Sequence, residues 1–209
     1  MELTDERREK FERVACKRQS NFAVVLENIH DEHNIGAIVR SCEAVGVYNI
    51  FIINTDARLQ KSSKYRSLST SKGAFKWMNT SIFLNLSEGM AEVRKQYDTI
   101  LTTHLSSDAV SIYETDLTGS IALVLGNEHE GITKEMLAFT DGNISIPQVG
   151  LVQSLNVSVA AAVSLFEMLR QRSAKGLYDE SFDATNKEHR SMYENMFNIH
   201  FDTKYSNQQ

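Results

Sequence analysis

The residues best suited to chemistry lie where a short apolar strand passes into a helix of small residues. This segment runs from Ile146 to Ala162, contains the only proline of the chain, and carries Gln153, Ser154 and Asn156 just before the helix. The first backbone N–H groups of a helix lack partners, so polar groups at this point can hold a small polar ligand. The alternative is structural, with Ser154 serving only as the helix cap. The segment alone leaves both interpretations open.

Two further polar loops follow apolar strands. One leads from His30 to Asn34 and opens a helix that carries Arg40, and the other runs from Gly126 to Gly131. The carboxyl ends of parallel strands are where α/β proteins bind ligands, so these loops are candidates for one shared site. Neither loop matches a dinucleotide fingerprint, and the second lacks the Lys-Ser/Thr pair of a P-loop. His30 and His33 have no partner at metal-ligand spacing, so no metal site is expected.

The elements that must position these loops alternate between strands and helices. Strands are predicted over 22–27, 49–54, 98–103, 121–125 and 143–146, and helices over 3–18, 34–45, 84–96, 133–139, 154–172 and near 186–197. Residues 58–76 are rich in Ser and Lys and predict a long loop. This alternation predicts an α/β fold with a mainly parallel sheet covered by helices on both faces.

The composition favours a single globular unit, since 42% of the 209 residues are hydrophobic. No apolar run is long enough to cross a bilayer, and the charged N-terminus lacks the apolar stretch of a signal peptide. Cys42 lies on an apolar helical pattern and Cys16 offers it no metal-ligand spacing, so a buried thiol is expected. A cytoplasmic protein without disulfides is predicted.

The charge is unevenly distributed around a net value of −5. Residues 57–78, here called the basic segment, hold six basic and no acidic residues, whereas residues 79–169 hold eleven acidic and three basic ones. A basic segment on an acidic body is either a solvated face or a surface that contacts phosphates. The candidates for RNA phosphate contacts, including two arginines late in the chain, are Arg58, Lys64, Arg66, Lys72, Lys76, Arg170 and Arg172.

Taken together, the three loops resemble the signature motifs of the TrmH (SpoU) branch of the SPOUT RNA methyltransferases. The first is the segment 27–42, in which Asn34-Ile35-Gly36-Ala37-Ile38-Val39-Arg40 matches the family pattern Asn-x-Gly-Ala-Ile-x-Arg. The second is Leu123-Val124-Leu125-Gly126-Asn127-Glu128-His129-Glu130-Gly131-Ile132, and the third is the segment 146–162. The resemblance extends over about residues 8–178 and is nearest to enzymes that methylate the ribose of a D-loop guanosine in tRNA.

The resemblance implies a deep trefoil knot in the C-terminal part of the sheet, against the usual rule that chains avoid threading. It implies a homodimer with the 154–172 helix in the interface, where the face from Val157 to Ser164 would pack between subunits. A methyltransferase domain over residues 1–178 and a polar, aromatic tail over 179–209 are expected. The implied reaction is ribose 2′-O-methylation, with guanosine 18 of tRNA as target; a ribosomal RNA target and an inactive RNA-binding module are the alternatives.

The resemblance also assigns roles to residues. Arg40 corresponds to the catalytic arginine, which either binds the phosphate beside the target ribose or helps remove the 2′-hydroxyl proton. Asn34 would either assist near the ribose or only cap the helix that it opens. Asn156 would assist near the ribose, and Glu128 would orient Arg40 or face the cationic cofactor or the ribose. The cofactor would be S-adenosyl-L-methionine, leaving S-adenosyl-L-homocysteine as product. Its site would be formed by Thr103, Gly126, Ile146, Ser154 and Leu155.

Overall fold

The computed structural model of the chain describes residues 2–60, 73–104, 106, 108–127, 130–152 and 154–206. Four of the residues with predicted roles lie outside the described residues: Glu128, Lys64, Arg66 and Lys72. Their predicted roles therefore stay predictions.

A parallel sheet forms the centre of the described fold. Its seven strands are β1 (Gln19–Glu27), β2 (Val47–Ile53), β3 (Asn79–Phe83), β4 (Thr99–Thr102), β5 (Val110–Ser111), β6 (Ile121–Leu125) and β7 (Gly142–Ser145). They lie in the order β3-β2-β1-β6-β4-β7-β5, and every paired strand runs parallel to its neighbour. The predicted α/β class with a parallel sheet is therefore confirmed.

Helices connect the strands and cover the sheet. They are α1 (Asp5–Ala15), α2 (Glu32–Ala44), α3 (Ala57–Gln60), α4 (Leu86–Gln96), α5 (Lys134–Leu137), α6 (Val157–Ala174) and α7 (Lys187–Ser206), with a 3-10 helix at Ala74–Trp77. Most of them begin at a side chain that accepts a hydrogen bond from a free N–H of the first turn, as Thr4, Asp31 and Asn85 do. None of the helices in the described ranges combines the length and the hydropathy that a membrane crossing requires.

The sheet is buried on both faces, as its uniformly apolar central strands predict. Alternate residues of β1 and β6 pack with α2 and α6 on one face, where Ile38, Cys42 and Leu165 are fully buried. On the other face the sheet packs against α4 and α5 through Val93 and Met136. The predicted burial of Cys42 is confirmed.

A third apolar cluster lies outside the sheet and joins the two ends of the chain. Phe11 of α1 packs with Met196 and Phe201 of α7. Its ring also lies edge-on to Trp77 of the 3-10 helix, with 6.0 Å between the centroids. The C-terminal helix is longer than predicted and contacts the N-terminal one, while the division at residue 178 stays a prediction.

Two strands were missed by the sequence patterns, and both lie at the margins of the sheet. The β3 strand has the sequence Asn-Thr-Ser-Ile-Phe and lies at one edge of the sheet. Its residues are only partly buried, so it lacks the apolar run by which a central strand is recognised. The β5 strand has only two residues at the other edge. Pairing with β2 and β7 supplies what the local sequence does not, because strand formation depends on the neighbouring strand.

The predicted interface on the long helix is partly wrong. Val157, Ala161 and Ser164 are buried within the single chain, where α6 packs against α2. The small residues let these two helices approach each other, and they are not available to a second subunit. The large apolar residues that α6 does expose are Val159 and Phe166.

Candidate active site

One cavity lies at the carboxyl edge of the sheet, where β4, β6 and β7 end. It has a volume of about 550 Å³, which is within the usual range for a small-molecule site. Six of the residues named from the motifs line it together: Thr103, Gly126, Ile146, Ser154, Leu155 and Asn156. The structure therefore brings the loop after β6 and the loop before α6 into a single site.

The loop after β6 is shaped by Gly126. A Cβ atom at this position would lie 2.5 Å from the backbone carbon and oxygen of Gly131. No side chain fits there, because real Cβ contacts do not reach this distance. Beyond it, Asn127 and Gly131 exchange backbone hydrogen bonds of 3.0 and 2.9 Å, which close the loop on itself. The glycine is thus needed for the close backbone approach that forms this wall of the cavity.

Asn28 fastens three strand ends together. It has a φ of 50°, a left-handed conformation that asparagine tolerates better than most residues. Its side-chain oxygen accepts the backbone N–H groups of Thr55 and Asp56 at 2.8 and 3.1 Å. Its own carbonyl accepts the side-chain amide of Asn127 at 2.7 Å. The ends of β1, β2 and β6 are therefore held by one residue.

Glu27 holds the far end of the same loop. Its side chain is almost fully buried and accepts both the hydroxyl and the backbone N–H of Thr133, the latter at 3.1 Å. Burial raises the pKa of Glu27, while the two bonds from Thr133 oppose that rise. Since Thr133 also caps α5, this carboxyl ties β1 to the start of that helix.

Asn143 orders the wall after β4. Its side-chain oxygen accepts the N–H of His104 at 2.8 Å, and its amide donates to the His104 carbonyl at 2.6 Å. Thr103, just before, donates its N–H to the carbonyl of Val124 at 3.2 Å. These bonds keep the Thr103–His104 backbone beside β6, where both residues line the cavity.

Asn156 caps α6 and lines the cavity at the same time. Its side-chain oxygen accepts the N–H and the hydroxyl of Ser158 at 2.8 and 2.6 Å. The helix therefore begins after Asn156, and Ser154 is not its cap. The side-chain oxygen of Asn156 already accepts hydrogen bonds from Ser158, so its amide N–H groups are the donors that a ligand can use.

The structure does not bring Arg40 or Asn34 into the wall of this cavity. Both lie on α2, which follows β1 at the same edge of the sheet. Arg40 is exposed and shares its helix face with His33 and Ala37, opposite the buried Ile38. Arg40 is thus open to a large ligand arriving from solvent, and its catalytic role stays a prediction.

The arginines and lysine predicted to contact phosphate have different surroundings. Arg58 is exposed and pairs with Asp56, with 2.6 Å between the closest atoms; this pairing lowers the pKa of Asp56 to about 2. Lys76 places its ammonium 4.6 Å from the centroid of the Trp77 ring. Arg170 is exposed and forms two hydrogen bonds to Glu167. These three side chains remain at the surface.

Arg172 cannot contact RNA, and that prediction is wrong. Its side chain is 0% exposed. It donates to the carbonyls of Leu117 and Gly119 and to the side-chain oxygens of Gln19 and Asn21, at 2.6 to 3.0 Å. The guanidinium also lies over the ring of Phe22, 5.2 Å from its centroid. Arg172 therefore joins α6 to β1 and to the segment before β6.

Four residues that shape the site had no predicted role: Glu27, Asn28, Asn127 and Gln148. The first three lie at or just beyond the carboxyl end of a strand whose preceding residues are apolar, where a side chain can bridge to a neighbouring strand end, and this is the signal that could have found them. Across the described ranges, no group of three or more His, Cys, Asp or Glu side chains is placed to hold a metal ion.

A parallel α/β sheet with a cavity at its carboxyl edge is the architecture of many ligand-binding enzymes, and the comparison with known families decides among them. The model of the SpoU rRNA Methylase family matches residues 21–166, and the chain belongs to this family. It is 42% identical over 178 residues to the tRNA (guanosine(18)-2′-O)-methyltransferase of Thermus thermophilus, covering 85% of this chain and 89% of that protein.

Two solved structures resemble the fold. The crystal structure described as an A. aeolicus TrmH/SpoU tRNA modifying enzyme has a TM-score of 0.75 and 32% identity, covering 91% of this chain and 94% of that one. The SpoU methyltransferase AviRb of Streptomyces viridochromogenes, in complex with the cofactor AdoMet, has a TM-score of 0.63 and 26% identity. That match covers 75% of this chain and 62% of AviRb.

Proposed function

We propose that the protein is an S-adenosyl-L-methionine-dependent ribose 2′-O-methyltransferase that modifies guanosine 18 in the D-loop of tRNA. The observation that carries this proposal is the cavity in which Thr103, Gly126, Ile146, Leu155 and Asn156 meet. The name of the Thermus thermophilus relative, which matches over most of both chains, supports the tRNA target. The cytoplasm is the proposed compartment.

The cavity fits the proposed cofactor in shape and in chemistry. Ile144, Ile146 and Leu155 give it an apolar wall that suits a flat purine. The carbonyl oxygen of the Gln148 side chain is buried there, and among the described residues it has no hydrogen-bond partner. Glu130 adds a negative charge at the rim, which favours a cationic ligand. When bound, S-adenosyl-L-methionine would supply a methyl group attached to a positively charged sulfur.

The remaining task of the protein is to place the ribose hydroxyl. Arginine side chains keep their proton in proteins and donate from a planar fork that matches a phosphate. An exposed Arg40 therefore fits the orienting role better than the role of a base. Positioning supplies much of the rate of an in-line displacement, because the two reacting atoms are held in contact. The amide of Asn156, at the edge of the cavity, is a second group that can donate to the ribose.

We also propose a homodimer, with α6 in the interface. Its exposed Val159 and Phe166 lie on one side of the helix, two turns apart. The loop that leads into it exposes Val149, Leu151 and Val152 beside the cavity. A second copy of the chain would remove these apolar side chains from water. The knot implied by the family resemblance stays a prediction, as does the independence of metal ions.

The test of the proposed function is methyl transfer from labelled S-adenosyl-L-methionine to purified tRNA and, in parallel, to ribosomal RNA. The expected result is label in tRNA alone, mapped to the 2′-oxygen of guanosine 18. Label in ribosomal RNA would support the alternative of a ribosomal RNA methyltransferase, the activity that the name of the SpoU rRNA Methylase family describes. Binding of tRNA without transfer to either pool would support an inactive RNA-binding module.

The dimer is tested by sedimentation of the wild-type chain and of Phe166→Glu. The wild type is expected to sediment as a dimer and the variant as a monomer, because a carboxylate cannot be buried unpaired in an apolar interface. Phe197→Glu is not a suitable control, because Phe197 packs in the terminal cluster. The exposed Tyr113, on the loop after β5, offers Tyr113→Glu as the control that should leave the dimer intact.

A further inference from the structure

Three side chains meet just beyond the carboxyl ends of β1 and β2. The Oδ2 atom of Asp56 lies 2.6 Å from Nη2 and 3.0 Å from Nε of Arg58, and 3.3 Å from Nε2 of His30. The Oδ1 atom accepts the backbone N–H of Arg58 at 2.8 Å and its Nε–H at 3.1 Å. One carboxylate therefore binds both the backbone and the side chain of Arg58, while His30 contacts it from the loop after β1.

The carboxylate of Asp56 is itself held in place. The backbone N–H of this residue donates to the side-chain oxygen of Asn28 at 3.1 Å, and its side chain is only 18% exposed. An ordinary surface ion pair joins two mobile side chains and stabilises little. Here only Arg58 is long and exposed, so the fold sets the orientation of its guanidinium.

The guanidinium of Arg58 keeps a second edge for a ligand. Asp56 occupies the edge formed by Nε and Nη2. The other edge, formed by Nη1 and the outer hydrogen of Nη2, makes no hydrogen bond within the described residues, and the side chain is 74% exposed. Such a planar fork matches two oxygens of a phosphate. A phosphate can therefore bind Arg58 without displacing Asp56.

This group of side chains lies beside the proposed active site. The strands β2, β1 and β6 are consecutive in the sheet, and Glu130, on the loop after β6, lines the cavity. The hydrogen bonds and the charge of Asp56 raise the pKa of Arg58, and the charge of Glu130 raises it further. Arg58 is thus within electrostatic reach of the cavity, on the side where a large substrate can approach from solvent.

We propose that Asp56 is a positioning residue, which holds the guanidinium of Arg58 so that its free edge binds a phosphate of the RNA substrate. This proposal rests on the proposed function, because it takes the ligand to be tRNA. An acidic residue then strengthens the binding of a polyanion. Water and salt screen its repulsion of the phosphate, whereas a fork that is already oriented loses less side-chain freedom on binding.

The experiment compares two exchanges of aspartate for asparagine by filter binding of tRNA. Asp56→Asn keeps an oxygen for the backbone N–H of Arg58 but removes the second acceptor, and binding is expected to weaken about threefold to tenfold. The matched control is Asp116→Asn, before the amino end of β6. Asp116 likewise accepts a backbone N–H two residues on, at 2.9 Å, and pairs with Lys175 at 3.3 Å. Each exchange removes one negative charge, so the control should bind tRNA as well as the wild type or more tightly.

A second comparison asks whether Asp56 acts through Arg58. Arg58→Gln should weaken tRNA binding to a similar extent, and adding Asp56→Asn to it should cause no further loss. In methyl transfer, the KM for tRNA should rise in Asp56→Asn while kcat stays within about twofold, because the phosphate contact is the same in the ground state and the transition state. A damaged fold would lower kcat as well.

Three outcomes would decide against the proposal or its premise. Binding by Asp56→Asn that equals or exceeds that of the control would overturn it, and so would a full further loss in the Arg58→Gln background. A wild type that binds tRNA but transfers no methyl group would overturn the proposed function alone, since the binding comparison still tests Asp56.

Discussion

The side-chain amide of Asn127 donates a hydrogen bond of 2.7 Å to the backbone carbonyl of Asn28, across 99 residues of chain. This bond joins the ends of the two central strands, β1 and β6, directly behind the cavity. It depends on the left-handed backbone of Asn28, whose φ is 50°. The shape of the site therefore rests on a conformation that few residues adopt without strain.

The strain at Asn28 can be separated from its hydrogen bonds. Asn28→Gly and Asn28→Ala both remove the bonds to Thr55 and Asp56, but only alanine keeps a Cβ in the left-handed region. The alanine variant is expected to be less stable than the glycine variant by about 1 kcal/mol. Urea unfolding of both variants measures this difference, and equal stabilities would contradict it.

The buried Glu27 predicts a pH dependence of stability. Burial raises its pKa above the ordinary value of 4.5, so the folded state favours the neutral carboxyl. The neutral carboxyl of Glu27 therefore stabilises the fold fully at pH values below 4.5. This stabilisation is lost as the pH rises through the raised pKa. Relative to Glu27→Gln, the wild type should lose about 1.4 kcal/mol for each unit of the rise. Unfolding of both proteins at pH 4 and pH 8 checks this; a difference that does not change with pH would refute it.

Two arginines on α6 provide a matched pair for stability. Arg172→Met leaves two carbonyls and two side-chain oxygens without their donor in a buried setting, so a loss of about 3 kcal/mol or more is expected. Arg170→Met takes an exposed arginine away from Glu167, a buried carboxylate that keeps its hydrogen bond from Gln171, and should cost less, about 1 kcal/mol. Thermal unfolding of the two variants measures the difference, and equal shifts of the unfolding midpoint would contradict the stabilising role of the buried Arg172.

Neutralising the basic segment should affect RNA binding alone. Replacing its six basic residues with glutamine is expected to weaken tRNA binding and to lower the salt slope by about 0.7 to 0.9 for each phosphate that the segment neutralises. The affinity for S-adenosylhomocysteine should not change. Filter binding over a salt series is the measurement, with Lys95→Gln, an exposed residue of α4 paired with Glu92, as control. An unchanged salt slope of tRNA binding would show that the basic segment does not contact the phosphates of tRNA.

Arg40 should affect transfer without affecting cofactor binding. Arg40→Ala is expected to lower the rate of methyl transfer at least about 100-fold, because the ribose would no longer be held in line. Arg40→Lys keeps the charge but not the fork, and should recover only part of the rate. Calorimetry with S-adenosylhomocysteine should give wild-type affinity for both variants, since Arg40 does not line the cavity. Normal transfer by Arg40→Ala would end its catalytic assignment.

The sequence was sufficient to predict the class of fold and most of the cavity wall. Apolar strands that end in polar loops place those loops at one edge of a parallel sheet, and Gly126, Ile146 and Leu155 do meet there. The local pattern predicted only that the loops share this edge, and the family resemblance supplied which of their residues would form the cofactor site.

The parts that could not be predicted depend on distant partners. Arg170 and Arg172 look alike in sequence, yet they point to different sides of α6, and only the fold places Gln19 and Leu117 around the second. The small residues of α6 predicted a close contact but not its partner, which is α2 of the same chain for Ala161. The conformation of Asn28 likewise has no local signature.

The pairing of β1 with β6 also sets when the fold can form. Phe22 lies beside Ile121 in this central ladder, so the first strand made by the ribosome waits for its inner neighbour until more than half of the chain has been synthesised. Its outer neighbour β2 follows soon after and can pair early. Such a high contact order predicts slow folding. Until β6 is made, the inner edge of β1 exposes unpaired backbone N–H and C=O groups, and a chaperone that covers this edge would protect the nascent chain from pairing with other strands.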